Sequence, residues 1–312
     1  MERRLVRFQE KKIISDLRGI IPSLHTPFNQ DNSLDLVSLK NLVEHTIITK
    51  CAGMLVGAVA GETSSLSVQE KQKVIECCIK QNDNRIPLIV GCSADNQEAR
   101  VELSKYAKQA GAKWILCQAP SDLKGRELLS CFIEICEVGP DNLMIQDLSW
   151  SDNGMDDEDI LFLYQNLDKF KGLKIEVLNS GPKYSRILKA TNNTLHLSGG
   201  WAIMGMIEAL QRGVHAFIPS TMESLYNKIY LFFIENKLSE ARDLFDQILP
   251  ILSFTHQHID IAIKFSKMLR VKEGIFKTTF CRSPINHFDD YQLEEASLHI
   301  EQVLNLQSDY KQ

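Results

Sequence analysis

The sequence lacks the features that would mark it as a metalloprotein, a membrane protein or a nucleic-acid-binding protein. No Cys-x-x-Cys pair occurs, and no spacing of cysteine and histidine suits a zinc site. No apolar run is long enough to span a bilayer, and the N-terminus has no secretory apolar core. The formal net charge of −5 argues against nucleic acid or an anionic membrane as the main partner. We therefore expect a soluble, cytoplasmic protein without a metal ion.

Glycine is also missing where one common enzyme fold needs it. From residue 19 onward, short apolar runs typical of buried strands alternate with helical patterns, and eight such runs precede residue 222. Eight strand–helix units predict a (β/α)8 TIM barrel, an α/β fold. The alternative is a doubly wound sheet. It usually has a glycine-rich phosphate turn after its first strand, and residues 22–31 contain no glycine.

The pattern divides the chain into three parts. Residues 1–18 carry mixed charge with apolar residues at helical spacing, and they are predicted to form a short arm outside the main domain. Residues 19–224 form the predicted barrel. Residues 225–312 have helical spacing without further strand patterns, which predicts a C-terminal helical region long enough to pack a small core of its own.

One strand pattern contains a lysine. Residues 172–177 have the sequence Gly-Leu-Lys-Ile-Glu-Val, so Lys174 interrupts a run typical of a buried strand. A lysine desolvated among apolar groups is a usable amine nucleophile. Taken alone, the stretch favours a lysine that extends its side chain to solvent. Glu176, two residues further on, is expected on the same face, where it would pair with Lys174 or join a polar layer of the barrel interior.

Several motifs follow one another in the order found in one enzyme family. They are Pro27-Phe28 with Leu34-Asp35, residues 58–62 with Leu66-Ser67 and Glu70, Gly172-Leu173-Lys174, Leu197-Ser198-Gly199, and Lys267-Met268-Leu269 with Gly274 and Arg282-Ser283-Pro284. Through them, residues 19–285 resemble the class I Schiff-base lyases typified by dihydrodipicolinate synthase and N-acetylneuraminate lyase. The resemblance implies a barrel in which Lys174 forms an imine with a 2-keto acid, without a cofactor.

The chain departs from that family's pattern at residues that usually bind substrate and move protons. Val59 and Ala60 stand where the synthase has two threonines. Gln146-Asp147 stands where the family has the tyrosine that serves as general acid and base. No arginine follows in residues 150–155, where the family binds a dicarboxylate. These departures argue against the synthase reaction.

The same residues are similar to a subgroup of the family. Gln146-Asp147 and Lys174-Ile175-Glu176 look like the pattern of a group that includes 2-keto-3-deoxy sugar-acid dehydratases. In such an enzyme the protonated imine withdraws electrons from C2. Either a C3 proton leaves and the C4 hydroxyl is lost, or the C3–C4 bond breaks.

The resemblance implies two sets of site residues. We expect the substrate carboxylate to lie against backbone N–H groups at residues 60–62, where a small residue and a glycine permit close approach. Other interpretations remain: Glu62 suits a structural role, and the Gln-Asp pair could bond its own loop. The catalytic candidates are Lys174, Gln146 and Asp147, and the substrate-binding candidates are Val59, Ala60, Gly61, Glu62, Gly199 and Ile218.

Three functions are therefore compatible with the sequence. The first is an imine-forming lyase of pyruvate-type or 2-keto-3-deoxy sugar acids. The second is dihydrodipicolinate synthase with divergent relay residues. The third is a catalytically silent barrel that serves as a binding or regulatory subunit, since several of the family's functional residues are replaced together. The resemblance also implies a homo-oligomer, a tetramer or a dimer.

Overall fold

A computed structural model describes residues 17–200, 204–282 and 287–310 of the chain. The predicted N-terminal arm lies outside the described residues apart from its last two, of which Leu17 is buried. None of the helices in the described ranges combines the length and apolar character needed to cross a membrane.

Eight short parallel strands form one sheet, and the predicted (β/α)8 barrel is confirmed. The spatial order is β1-β8-β7-β6-β5-β4-β3-β2. Backbone bonds bring the two ends of this order together, because the Ala52 N–H donates to Ile20 O over 2.8 Å and Ser23 bridges Leu55. The strands are β1 (Gly19–Ile20), β2 (Met54–Val56), β3 (Leu88–Gly91), β4 (Trp114–Gln118), β5 (Asn142–Leu148), β6 (Phe170–Glu176), β7 (His196–Gly199) and β8 (Ala216–Phe217).

Eleven helices are found in the described residues. Seven of them connect successive strands, as expected for this fold. The seven connecting helices are α1 (Leu36–Ile48), α2 (Val68–Asn82), α3 (Gln97–Gln109), α4 (Gly125–Val138), α5 (Asp157–Asn166), α6 (Ser180–Ala190) and α7 (Met206–Gln211). The other four are α8 (Glu223–Ile234), α9 (Leu238–Thr255), α10 (Ile259–Lys272) and α11 (Asp290–Asp309).

Helix starts follow local chemistry. Ser67 caps α2 in a full capping box, since its side chain accepts from the Glu70 N–H while Glu70 accepts from the Ser67 N–H. The start of α6 contains a proline. The helix begins at Ser180 and includes Pro182, because proline is tolerated in a first turn, where backbone N–H groups have no partner within the helix.

The C-terminal helices pack directly against the barrel. Helix α8 packs against β1, in the position of the eighth barrel helix, so a division at residue 224 would fall within α8. Helix α10 contacts the 3₁₀ turn Val59–Gly61 that follows β2. The helical region therefore reaches the end of the barrel where the strands terminate.

The core has two layers, and β4 shows how they arise. Trp114 and Leu116 point into the barrel, whereas Ile115 and Cys117 pack against the surrounding helices. This alternation follows from the two-residue period of a strand. Both faces of the sheet are thus buried, which explains the continuous apolar runs in the sequence.

A β-bulge in β6 decides which side chains face the barrel interior. Leu143 pairs with Phe170 but Met144 pairs with Gly172, so β6 contains one extra residue at this step. Phe170 and Leu173 both pack on the helix side although they are three residues apart. The bulge reverses the alternation. It directs Lys174 into the barrel.

Candidate active site

A cleft opens at the C-terminal ends of the strands, the end of a barrel where active sites are found. It contains about 740 Å³ of empty space, part of it continuous with solvent. Strand ends, loops and helices α9 and α10 all contribute to it. The residues that line it are Ser23, Ala58, Val59, Ala60, Gln146, Leu148, Trp150, Lys174, Glu176, Gly200, Ile218, Pro219, Ser220, Thr221, Met222, Tyr226, Thr255, His256, Ile259, Ala262 and Ser266.

Lys174 lines this cleft and contacts the carboxylate of Glu176. Its Nζ is 2.8 Å from Oε2 of Glu176. The same carboxylate oxygen accepts a hydrogen bond from Nε2 of Gln146. The side chains of Lys174 and Glu176 are only 6% and 10% exposed. Of the three predicted catalytic residues, Lys174 and Gln146 are therefore brought together, and Glu176 joins them.

Register in the sheet explains this grouping. Gln146 of β5 and Ser198 of β7 are the neighbours of Lys174 across the two ladders. Side chains of residues paired across adjacent strands project to the same face. Gly200, just after β7, packs against the Glu176 carboxylate so closely that a β-carbon there would overlap it. The carboxylate is thus held between Lys174, Gln146 and the backbone of Gly200.

Asp147 does not join the cleft. As the residue after Gln146 on a strand, it projects to the opposite face. Its carboxylate forms a buried ion pair with Lys183 and accepts from the Met155 N–H over 2.8 Å. Burial raises the pKa of Asp147 above its ordinary value, against the lowering effect of Lys183. The expected catalytic position is corrected: Asp147 supports the loop after β5.

The turn after β2 supplies only part of the expected carboxylate site. Val59 and Ala60 line the cleft, but Gly61 and Glu62 do not. The N–H groups of Gly61 and Glu62 donate to Ala58 O and Val59 O, each over 2.9 Å, so they are already bonded within the turn. Of the backbone N–H groups expected to bind the substrate carboxylate at residues 60–62, those of Gly61 and Glu62 are therefore not available.

Glu62 instead holds the C-terminal segment against the barrel. Its carboxylate forms an ion pair with the buried Lys267 and accepts from the Arg282 N–H over 2.7 Å. Lys267 also donates to Phe280 O over 2.9 Å and lies over the Phe28 ring. These contacts support the structural alternative for Glu62.

Of the two remaining candidates, Ile218 lines the cleft and Gly199 does not. The two are joined through the backbone, because the Ile218 N–H donates to Gly199 O over 2.8 Å. The glycine that contacts the cleft is the next one, Gly200. The structure thus places Gly200, and not the predicted Gly199, against the cleft.

Sequence reasoning missed the hydroxyl-bearing side of the cleft. Ser23 follows β1, Thr221 lies between β8 and α8, and Tyr226 lies in α8. Helices α9 and α10 add Thr255 and Ser266. No local sequence pattern predicts that these residues line the cleft. Glu176 is different, since its two-residue spacing from Lys174 already predicted a shared face.

Comparison with known proteins agrees with this architecture. The model of the dihydrodipicolinate synthetase family matches residues 16–303, so the chain belongs to this family. The 4-hydroxy-tetrahydrodipicolinate synthase of Neisseria meningitidis serogroup C is 26% identical over 249 residues, which cover 75% of this chain and 82% of that one. The enzyme of the same name from Bartonella bacilliformis is 35% identical over 104 residues, only 33% of this chain and 35% of its own length.

A solved structure gives the same result for the fold. Dihydrodipicolinate synthase from Rhodopseudomonas palustris superposes with a TM-score of 0.86 and covers 93% of this chain and 99% of its own. A sequence identity of 21% supports a shared fold but does not show a shared activity. The function of this chain has to be argued from its own cleft.

Proposed function

We propose that this chain is a Schiff-base-forming lyase in which Lys174 forms an imine with a 2-keto acid. The observation that carries the proposal is the contact of 2.8 Å between Lys174 Nζ and Glu176 Oε2 in an open cleft. A buried amine beside a carboxylate that can take its proton has the arrangement needed for nucleophilic catalysis. Membership of a family whose named relatives are synthases acting on keto acids supports the same reaction class.

The chemical steps follow from that arrangement. Lys174 transfers a proton to Glu176, and its free amine attacks C2 of the keto acid to give a carbinolamine. Loss of the C2 oxygen as water then leaves a protonated imine. This imine takes up electron density from C3. In dehydration, a C3 proton and the C4 hydroxyl are then lost as water. In cleavage, the C4 hydroxyl gives its proton to Glu176, and the C3–C4 bond breaks to release an aldehyde and leave a pyruvate enamine, which is protonated at C3. Water finally hydrolyses the imine, which releases the keto acid and frees Lys174.

Glu176 is the residue to which we assign the proton transfers. It contacts the nucleophile directly, and Gln146 and Gly200 fix its carboxylate. Asp147, the other carboxylate considered from sequence, is occupied by Lys183 on the far side of β5. A carboxylate held against the reacting amine can take the role that the family's tyrosine performs.

The charge of the lining favours a substrate with a single carboxylate. Among the described residues of the cleft, Lys174 and Glu176 are the charged pair. His256 also lines it, but burial lowers its pKa to about 4, so the ring is neutral near pH 7. A second substrate carboxylate would find no cation there. This supports a single pyruvate-type or 2-keto-3-deoxy sugar acid over the synthase reaction, in which pyruvate is joined to aspartate semialdehyde and two carboxylates must be held in the cleft.

Borohydride trapping tests the proposal. The protein is incubated with pyruvate or with each of a panel of 2-keto-3-deoxy sugar acids, reduced with borohydride, and examined by intact mass and peptide mapping. We expect a reduced adduct on Lys174. Chromatography of unreduced mixtures then distinguishes dehydration, which keeps the carbon chain intact, from cleavage, which releases pyruvate.

Two outcomes would contradict the proposal. Absence of an adduct with every acid, on protein shown to be folded by circular dichroism, would favour the silent barrel. Condensation of pyruvate with aspartate semialdehyde at a rate above that of sugar-acid turnover would favour the divergent synthase. The matched control is Lys189→Met, which removes an exposed lysine at the end of α6 and should leave trapping unchanged.

A further inference from the structure

Trp150 is a large apolar side chain that remains exposed in the cleft. The residue is 51% exposed and lines the cavity that contains Lys174. Lys174 is only 5% exposed, so Trp150 lies on the solvent side of the same cavity. An indole left in water forgoes the free energy of burial that its large apolar surface could provide. An exposed tryptophan in a cleft of this kind therefore indicates a ligand that covers it.

Strand β5 and its continuation lead from the buried part of the cleft toward solvent. Gln146, Leu148 and Trp150 follow one another at two-residue spacing and all line the cavity, as expected for one face of an extended chain. Gln146 is buried, Leu148 is half-buried and Trp150 is exposed. Lys174 is the partner of Gln146 across the sheet. Because a strand rises about 3.3 Å per residue, Leu148 lies about 7 Å beyond Gln146, and Trp150 lies further still.

This arrangement separates short acids from long ones. The C2 carbon of the proposed substrate is bonded to Lys174, at the level of Gln146. Pyruvate has a single carbon beyond C2, so it remains near Lys174. A six-carbon acid has four more bonds beyond C2, each about 1.5 Å long, which span about 5 Å when extended. Its last carbons therefore reach Leu148 and the indole of Trp150.

Hydrogen bonds on the loop after β5 hold Trp150 in place. The Ser149 N–H donates to Glu176 O over 3.0 Å, which joins the start of the loop to the end of β6. The Asp152 N–H donates to Ser149 Oγ over 3.2 Å. Asp152 O in turn accepts from the Leu178 N–H over 3.1 Å. The indole is thus positioned before a ligand binds, which lowers the entropic cost of the contact.

The side of the cleft that faces β5 carries hydroxyl groups. Strand β1 lies four strands from β5 in either direction around the barrel, and Ser23 follows it. The hydroxyls of Ser23 and of Thr221, which follows β8, line the cleft and have no hydrogen-bond partner among the described residues. Sugar hydroxyls both donate and accept, so they match such groups. The C–H groups of the same carbon chain match the face of an indole, which carries partial negative charge.

We propose that Trp150 is a specificity-determining residue that packs against the substrate carbons beyond C4, so that the cleft favours a six-carbon 2-keto-3-deoxy sugar acid over pyruvate. This inference rests on the proposed imine chemistry and adds the residue that senses the length of the acid. The contact removes the exposed indole and the C–H groups of the chain from water, which is favourable. Trp150 does not touch the reacting atoms, so it acts on the binding of the longer acid and not on imine formation.

The test compares two acids that differ in length. Pyruvate and 2-keto-3-deoxygluconate share the carboxylate and the reacting carbonyl, but only the second has carbons beyond C3. Borohydride trapping over a range of concentrations gives a half-saturation value for each. The variants are Trp150→Ala and Trp150→Phe, which keeps an aromatic ring. Tyr291→Ala is the matched control, since Tyr291 is an aromatic residue of α11, 81% exposed and outside the lining of the cleft.

The proposal predicts a loss that is selective for the longer acid. Trp150→Ala should raise the half-saturation value for 2-keto-3-deoxygluconate about 10-fold or more, because a large apolar contact is lost, and should leave the value for pyruvate nearly unchanged. Trp150→Phe should recover most of the affinity, and Tyr291→Ala should have no effect on either acid. Equal shifts for both acids, or no shift for the six-carbon acid, would overturn the role of Trp150.

A second measurement separates this inference from the proposed function. The acid 3-deoxyhexonate has an alcohol in place of the C2 carbonyl and forms no imine, so titration calorimetry follows its binding without any reaction. If no keto acid is trapped but 3-deoxyhexonate binds and Trp150→Ala weakens it by at least 10-fold, the role of Trp150 stands and the lyase proposal falls. If 2-keto-3-deoxygluconate is trapped and Trp150→Ala affects neither acid, the role of Trp150 falls and the lyase proposal stands. If the wild-type protein neither traps a keto acid nor binds 3-deoxyhexonate, both fall.

Discussion

Lys174 and Lys183 are both buried in this barrel, and each contacts a carboxylate. Lys174 pairs with Glu176 and is 6% exposed at its side chain, while Lys183 pairs with Asp147 and is 3% exposed. Burial alone does not distinguish them. Their surroundings do. Lys183 also donates to Asn153 O over 2.8 Å and to Met155 O over 2.6 Å, so its three donors are used by the protein.

Lys174 has a different environment. Its partner in the described structure is Glu176, and both line an open cavity. A lysine whose three donors all bond within the protein is not available to a substrate. A lysine that faces a cavity beside a carboxylate is placed to act as a nucleophile. This difference supports the proposed chemistry at Lys174 and indicates that the pair at Lys183 holds the loop after β5.

The largest effect is expected from Lys174→Met. The variant keeps the volume of the side chain but removes the amine, so no imine can form. We expect complete loss of borohydride adducts and of any lyase activity, with the fold retained by circular dichroism. An adduct that moved to Lys183 in this variant would contradict the comparison.

Glu176→Gln should act on the rate and leave imine formation possible. Removing a general acid–base group typically costs about 10²- to 10⁴-fold. We expect kcat to fall in that range while an adduct is still trapped on Lys174. The matched control is Glu208→Gln, which alters an exposed carboxylate paired with Arg212 on the outside of the barrel. Unchanged kcat in Glu176→Gln would remove the carboxylate from the mechanism.

Lys183→Met should act on stability. It leaves the Asp147 carboxylate buried without its cation, and breaking a buried ion pair costs about 3–5 kcal/mol. Urea denaturation would measure the loss. The double variant Lys183→Met with Asp147→Leu should recover part of it, because apolar residues can replace a buried pair. Loss of trapping in folded Lys183→Met, with stability unchanged, would reverse the assignment of the two lysines.

The smallest effects are expected from substitutions at two glycines, one beside the carboxylate of each lysine pair. In Gly154→Ala the new β-carbon would overlap the Asp147 carboxylate at a position where φ is +67°. We expect a loss of about 1–3 kcal/mol in unfolding free energy.

In Gly200→Ala the overlap is with Glu176, which can move into the cleft. We expect stability to change by less than about 1 kcal/mol and kcat to fall about 10-fold. Thermal unfolding and steady-state kinetics of Gly154→Ala and Gly200→Ala would check both expectations. A larger stability loss in Gly200→Ala than in Gly154→Ala would contradict the comparison.

Much of the fold followed from local patterns. The eight strand runs, the capping box at Ser67 and the position of Lys174 within a strand depend on neighbouring residues, which the sequence displays directly. The prediction for Asp147 overlooked a local rule, since Asp147 and Gln146 are successive strand residues and cannot face the same side.

The sequence by itself determined that a buried strand carries a lysine and, two residues later, a glutamate. It also determined the order of strands and helices, because hydrophobic periodicity is a property of neighbouring residues. The tertiary structure decided the rest. The bulge in β6 directs Lys174 into the barrel, and Lys183 of α6 forms an ion pair with Asp147. Ser23 and Thr221 line the same cleft only because β1 and β8 lie side by side. No local pattern encodes this pairing, which joins segments nearly 200 residues apart.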